Sequence, residues 1–192
     1  MPKGRSTTRL AWRPRRLTDI RPAILGAILA GGQARRFGSD KAQALWRGRR
    51  LIDHVADALG GQTTALVVCG REEPGFGCVP DRPGPGLGPL GGLNAALRFA
   101  ETHGFAHVLT AGVDCPDLPQ DLAAHLAGEG AGVVADQPVI GLWPVSVAED
   151  LADFIAEGGR ALYGFAERVG ARRVALPAPL LNVNRPGDLP ES

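Results

Sequence analysis

From Ala23 onward the chain alternates continuous apolar runs with stretches whose apolar residues recur at helical spacing, and this restricts it to an α/β layered fold with a mostly parallel sheet. The runs AILGAILA (23–30), ALVVCG (65–70) and HVLTAGVD (107–114) are apolar on both alternating faces, as strands covered by helices on both sides must be. Between them, LIDHVADAL places Leu51, Val55, Ala58 and Leu59 on one helical face, and GGLNAALRFAETHG does the same with Leu93, Ala96, Leu97 and Ala100. Further on, LPQDLAAHLAGEG reads as a helix opened by proline and closed by glycine, AGVVAD and VIGLWP as short strands, VAEDLADFIAEGG and RALYGFAERVG as glycine-ended helices, and RRVAL as a late strand.

A chain of 192 residues that is 44% apolar can fill one substantial core. The expected division is a basic, disordered extension over residues 1–22 and a single domain over 23–192. The formal net charge of +1 hides an asymmetry, because residues 1–22 carry seven Lys or Arg against one Asp. The remainder is mildly acidic, which argues against nucleic-acid binding. The extension is Arg-rich, interrupted by proline and without an apolar run, so it reads as neither a secretory signal nor a membrane helix. The three cysteines, Cys69, Cys78 and Cys115, form no C-x-x-C pair and read as free or buried thiols of a cytoplasmic protein. His54, His103, His107 and His125 lack ligand-like grouping, and no serine sits in a G-x-S-x-G context.

Open α/β sheets bind ligands beyond the carboxyl ends of their strands. Three polar clusters fall there: the loop after Ala30, the segment PDRPGPGLGPLGG (80–92), and DCPDLP (114–119). In the first, Gly31 and Gly32 remove side chains where backbone N–H groups could approach phosphate oxygens, and Arg35, Arg36 and Lys41 supply positive charge. The same glycine pair is compatible with a plain tight turn. Asp114, at the end of an apolar strand, suits a hydrated Mg²⁺ and equally a loop or capping role. Asp81 is a second candidate carboxylate or a turn-initiating residue. The Gly/Pro loop that follows it suits either wrapping of a flat ligand or a plain surface connection.

LAGGQARRFGSDK, the Asp81 segment ending in GPLGG, D-x-P-x-LP and LNVNRPGDL resemble, in that order, the motifs of the molybdenum cofactor guanylyltransferases, over about residues 24–189. The resemblance implies a three-layer α/β/α sandwich like that of the nucleotide-diphospho-sugar transferases. It also implies Mg²⁺-dependent transfer of GMP from GTP to the terminal phosphate of molybdopterin, with release of pyrophosphate. By the same resemblance Leu29, Ala30, Gly31 and Gly32 hold the nucleotide, and Arg35 and Arg36 support the triphosphate. Lys41 contacts the phosphates and Asp81 belongs to the guanosine wall. Asp114 binds nucleotide and metal, with Lys41, Asp114 and Arg36 as the catalytic set. Asn182 and Asn184 fall on the molybdopterin side.

Such an enzyme needs little covalent help from the protein, since positioned cations, a metal and backbone N–H groups supply alignment and charge. The implied partners are GTP, molybdopterin or the molybdenum cofactor, and transient cofactor-synthesis or molybdoenzyme proteins, with no nucleic acid and no membrane. Cys69 stands where the family often has an Asn contacting base or ribose, so that contact is lost or passes to the backbone. Gln137-Pro138 replaces a frequent His-Pro, and Phe37 replaces a loop methionine. A cytidylyltransferase for the same cofactor, marked by LAAG in place of LAGG, is the nearest rival. The residues are also compatible with a guanylyltransferase for another phosphorylated acceptor and with a non-catalytic nucleotide- or cofactor-binding module.

Overall fold

A computed structural model of the chain describes residues 23–31 and 40–188. Its first strand, β1 (Ile24–Leu29), is followed by a 3-10 turn at Lys41–Gln43 and a small antiparallel ribbon, β2 (Leu45–Trp46) with β3 (Arg49–Arg50). Helix α1 (Leu51–Gly60) leads into β4 (Ala65–Cys69) and β5 (Gly77–Val79). After α2 (Pro89–Thr102) come β6 (His107–Gly112), α3 (Leu122–Leu126), β7 (Gly132–Val134) and β8 (Gln137–Pro144). Helices α4 (Ala148–Ala156) and α5 (Leu162–Arg168) and strand β9 (Arg172–Val174) complete the described elements.

Among the described residues the main sheet has seven strands in the order β5-β4-β1-β6-β8-β7-β9. β8 runs antiparallel to both of its neighbours, and the other pairings are parallel. The fold is therefore the expected α/β/α sandwich. Alternation along β1 explains the two cores. Leu25, Ala27 and Leu29 join α2, α4 and α5 on one face, whereas Ile28 joins α1 and α3 on the other. α2 packs against the first face through Leu90, Leu93, Ala96, Leu97 and Ala100, and α1 against the second through Ile52, Val55, Ala56 and Leu59.

Three details depart from the sequence reading. α2 starts at Pro89, earlier than the glycine pair, because proline suits the first helical turn, where its missing N–H is not needed. α3 is only five residues long and ends in extended backbone at Ala127. The β2–β3 ribbon had no counterpart in the periodicity. Its turn, Arg47-Gly48, has φ of 50° and 72°, the left-handed pair that a two-residue hairpin needs. The Arg47 guanidinium lies 4.5 Å from the Trp46 ring centroid.

Burial also settles how the thiols behave. Cys69 and Cys115 are fully buried, and burial pushes the Cys69 thiol up to about 12. Burial, with the nearby Asp114 carboxylate, pushes Cys115 up as well. Thiolate is the reactive form, so both should resist iodoacetamide at pH 8 in the folded protein and label fully in urea. Mass spectrometry of the labelled peptides checks this, and labelling of native Cys69 at the rate of a free thiol would contradict it. Among the described residues no helix is long and apolar enough to cross a membrane.

Candidate functional site

The parallel pairing of β4, β1 and β6 brings three chain reversals to one edge of the sheet. At the end of β1, Ala30 N–H donates to the Cys69 carbonyl at 3.0 Å, and Gly70 N–H donates to the Val79 carbonyl at 3.0 Å. These bonds draw the exits of β1, β4 and β5 together. Gly31 and Gly70 meet so closely that a Cβ on Gly70 would stand 2.5 Å from the Gly31 Cα, and Gly70 has a φ of 84° besides. Only glycine satisfies both demands there.

The carboxylate of Asp81 is set into this junction. A Cβ on Gly31 would lie 2.6 Å from its Oδ2, one on Gly70 2.7 Å from its Oδ1, and Gly91 faces its Cβ in the same way at 3.2 Å. Oδ1 is buried with no hydrogen-bond partner among the described residues. Burial holds the carboxyl above its ordinary value. A buried acceptor of this kind is costly unless something donates to it.

A cleft opens in front of that junction, lined by Leu29, Ala30 and Gly31 from the first reversal and by Asp40, Lys41 and Ala42. Gly88, Pro89 and Gly92 line it at the start of α2, and Gly112, Val113 and Asp114 at the end of β6. The N-terminus of α2, fourteen residues long, thus turns its positive dipole end toward the cleft, a setting that suits an anion. Across the cleft Lys41 Nζ stands 3.8 Å from Asp114 Oδ2. Lys41 is mostly covered, and the Asp114 side chain is 36% exposed.

Lys41 is positioned by its neighbour. Asp40 caps the turn that carries Lys41, accepting from Ala42 N–H at 3.1 Å. Both Asp40 oxygens also accept from Arg71, at 2.7 and 2.6 Å, and the guanidinium holds that carboxyl below the usual carboxylate range. Arg71 is tied in turn to Glu73 at 3.2 Å, whose side chain is fully buried. Glu73 also takes Arg50 at 2.7 Å, and both of its oxygens accept from Gln43 Nε2 at 3.0 Å. Arg71 lines the cleft as well. Sequence reasoning passed over Arg71 and Glu73, because their partners lie about thirty residues away and form no local pattern.

Of the residues singled out from sequence, Leu29, Ala30, Gly31, Lys41 and Asp114 line this one cleft, with Asp81 immediately behind Gly31 and Gly92. Gly32, Arg35, Arg36 and Phe37 lie outside the described residues. Cys69 stands apart from the group. As a central-strand residue alternating with Val68 it turns its thiol into the core beside α2, so its side chain reaches no ligand in the cleft. Its carbonyl, already bonded to Ala30, is what it contributes to the site. Gln137 accepts the thiol of Cys115 at 2.9 Å, next to Asp114. Asn182 and Asn184 are exposed on the segment that passes Asp114, where Val183 N–H donates to the Asp114 carbonyl at 2.8 Å.

No group of three or more His, Cys, Asp or Glu among the described residues is arranged to hold a metal. With both oxygens of Asp40 taken by Arg71, the cleft offers the partly exposed carboxylate of Asp114, beside Lys41. That donor set is unsuited to a closed Zn²⁺ or Ca²⁺ cage and suits Mg²⁺, which keeps waters and shares its sphere with substrate phosphates.

Comparison with known proteins agrees with the geometry. Residues 26–171 match the family model of the MobA-like NTP transferase domain. A molybdenum cofactor guanylyltransferase of Cereibacter sphaeroides is 44% identical over 180 residues, covering 86% of this chain and 93% of that one. One from Rhizobium leguminosarum bv. trifolii is 35% identical, covering 90% and 92%. Among solved structures, molybdopterin-guanine dinucleotide biosynthesis protein A from Archaeoglobus fulgidus superposes with a TM-score of 0.66 at 24% identity, over 86% of this chain and 94% of that one. The 2-C-methyl-D-erythritol 4-phosphate cytidylyltransferase of Thermus thermophilus has the same fold, with a TM-score of 0.63 at 16% identity, over 87% and 94%. Cleft, sheet order and sequence relatives agree, and the chain is a nucleotidyltransferase that belongs to the molybdenum cofactor guanylyltransferase family.

Proposed function

We propose that this protein transfers GMP from GTP to the terminal phosphate of molybdopterin, with Mg²⁺ held by Asp114. The observation that carries the reading is the pairing of Lys41 with Asp114 at 3.8 Å across a cleft lined by the glycine-bearing exit of β1 and the N-terminus of α2. That arrangement supports a triphosphate site: a positioned cation, the positive end of a helix and a carboxylate placed to take a metal. An oxygen of the acceptor phosphate attacks the α-phosphorus of GTP. The bond from that phosphorus to the bridging oxygen toward the β-phosphate breaks, and pyrophosphate leaves with the electron pair. The acceptor phosphate is already largely ionised at neutral pH, its second pKa being about 6, so no strong general base is required. Bound Mg²⁺ would neutralise charge on the phosphates. Lys41 does the same from the protein side, and the Asp40–Arg71 pair keeps Lys41 in place.

Base selection fits Asp81. Its buried Oδ1 needs a donor, and guanine offers two adjacent ones to a carboxylate, N1–H and the exocyclic amino group, whereas cytosine and uracil present a poorer match. Donation by guanine would also favour the ionised carboxylate that burial disfavours. Asp81→Asn should therefore raise the KM for GTP about 10- to 100-fold, the discrimination carried by a good bidentate contact, with a much smaller change for the acceptor. Steady-state kinetics with each substrate varied in turn measures this. An unchanged KM for GTP would remove Asp81 from the base pocket.

A further inference from the structure

The segment 181–185 is held beside the Asp114 loop at separate points. The backbone N–H of Leu181 donates to both carboxylate oxygens of Asp117 at 3.0 Å. Two residues on, Val183 N–H donates to the Asp114 carbonyl at 2.8 Å, and the Val183 side chain is fully buried against Trp46 and Leu51. The Asp188 carboxylate then accepts the N–H groups of Asn184 and Arg185, each at 2.7 Å. With Val183 turned inward, Asn182 and Asn184 stand exposed, and Asn184 Nδ2 donates to Asn182 Oδ1 at 3.0 Å. The two amides therefore share one side of the segment.

Asp114 faces both halves of the site, its carboxylate toward Lys41 and its carbonyl toward Val183. Cys115 and Pro116, both buried, fix the spacing between Asp114 and Asp117. The Val183 anchor is made by main chain and core packing and belongs to the fold. The Leu181 anchor is different, since it depends on one exposed side chain, the Asp117 carboxylate, accepting that N–H. A hydrogen bond to an ionised acceptor is among the stronger ones available to a main-chain donor.

We propose that Asp117 is a positioning residue for the acceptor substrate: by fixing the Leu181 N–H it holds Asn182 and Asn184 at the Asp114 side of the cleft, where the acceptor phosphate must arrive. Asp117 does not itself line the cleft, so its effect is on the acceptor and not on GTP. The inference rests on the reading of Asn182 and Asn184 as the acceptor-side pair.

The test uses the full chain with Asp117→Ala, Asp117→Asn and Asn182→Ala, varying GTP and the molybdopterin acceptor in turn, with amide hydrogen exchange followed by mass spectrometry. Asp117→Ala should raise the acceptor KM about tenfold, the scale expected for loss of a hydrogen bond to a charged group. The GTP KM should stay within about twofold by the same argument, and exchange should rise over 181–185 but not in β1 or β6. Asp117→Asn, which keeps an acceptor oxygen, should recover most of the loss. If Asn182→Ala raises the acceptor KM and Asp117→Ala does not, the positioning role is overturned while the acceptor-side reading stands. If Asn182→Ala leaves the acceptor KM unchanged, both fall. Equal increases in the two KM values for Asp117→Ala, or unchanged exchange over 181–185, also overturn the positioning role.

Discussion

Asp114→Ala should lower kcat for GMP transfer by about a thousandfold or more, equivalent to roughly 4 kcal/mol of transition-state stabilisation. Asp114 lies two residues beyond the end of β6 and is partly exposed, so its removal leaves both hydrophobic cores intact. What is lost is the carboxylate that faces Lys41 and that is proposed to hold Mg²⁺. The other carboxylate lining the cleft, Asp40, has both oxygens taken by Arg71 and so does not replace it. Asp114→Asn keeps the shape and removes the charge, and should be nearly as inactive. Pyrophosphate release at saturating GTP and acceptor checks both variants, with circular dichroism to establish that they are folded. Full activity in Asp114→Ala would remove Asp114 from the reaction.

Glu73→Ala should cost about 3 kcal/mol of stability, the lower end of the range for breaking a buried charged network. The lower end applies because Arg50 and Arg71 keep Asp53 and Asp40 as partners and are themselves partly exposed. For a chain of this size the loss corresponds to a fall in Tm of about 6–12 °C. The reason is the fully buried position of the carboxylate, which joins the loop after β4 to Gln43 and to the start of α1. Because Arg71 also holds Asp40, which caps the turn bearing Lys41, activity at temperatures below the melting transition should fall too. Urea denaturation gives the first effect and kcat for transfer the second. Glu73→Gln, which retains an acceptor for Arg50, should lose less of each.

The layered fold was legible because β1, β4 and β6 are central parallel strands buried on both faces, which leaves a continuous apolar signature. The ribbon of β2 and β3 was not. Two-residue strands have no periodicity, and their turn is Arg-Gly, not the Asn-Gly that marks such hairpins. Lys41 and Asp114 could be singled out because each stands among local markers, a glycine-rich loop and a strand end. Arg71 and Glu73 carry no such marker, since their role depends on which distant segments the sheet order brings beside them. Cys69 marked a place where a base or ribose contact is lost or passes to the backbone; strand alternation turns its thiol toward α2, and Asp81 Oδ1 is left as a buried acceptor without a donor.

The most direct test of the central claim offers the purified protein molybdopterin, Mg²⁺ and each of the four ribonucleoside triphosphates in turn, following pyrophosphate and dinucleotide formation together. GMP transfer predicts that both products appear with GTP, in equal amounts and only when the acceptor is present. Preference for CTP, or pyrophosphate release without acceptor, would contradict it.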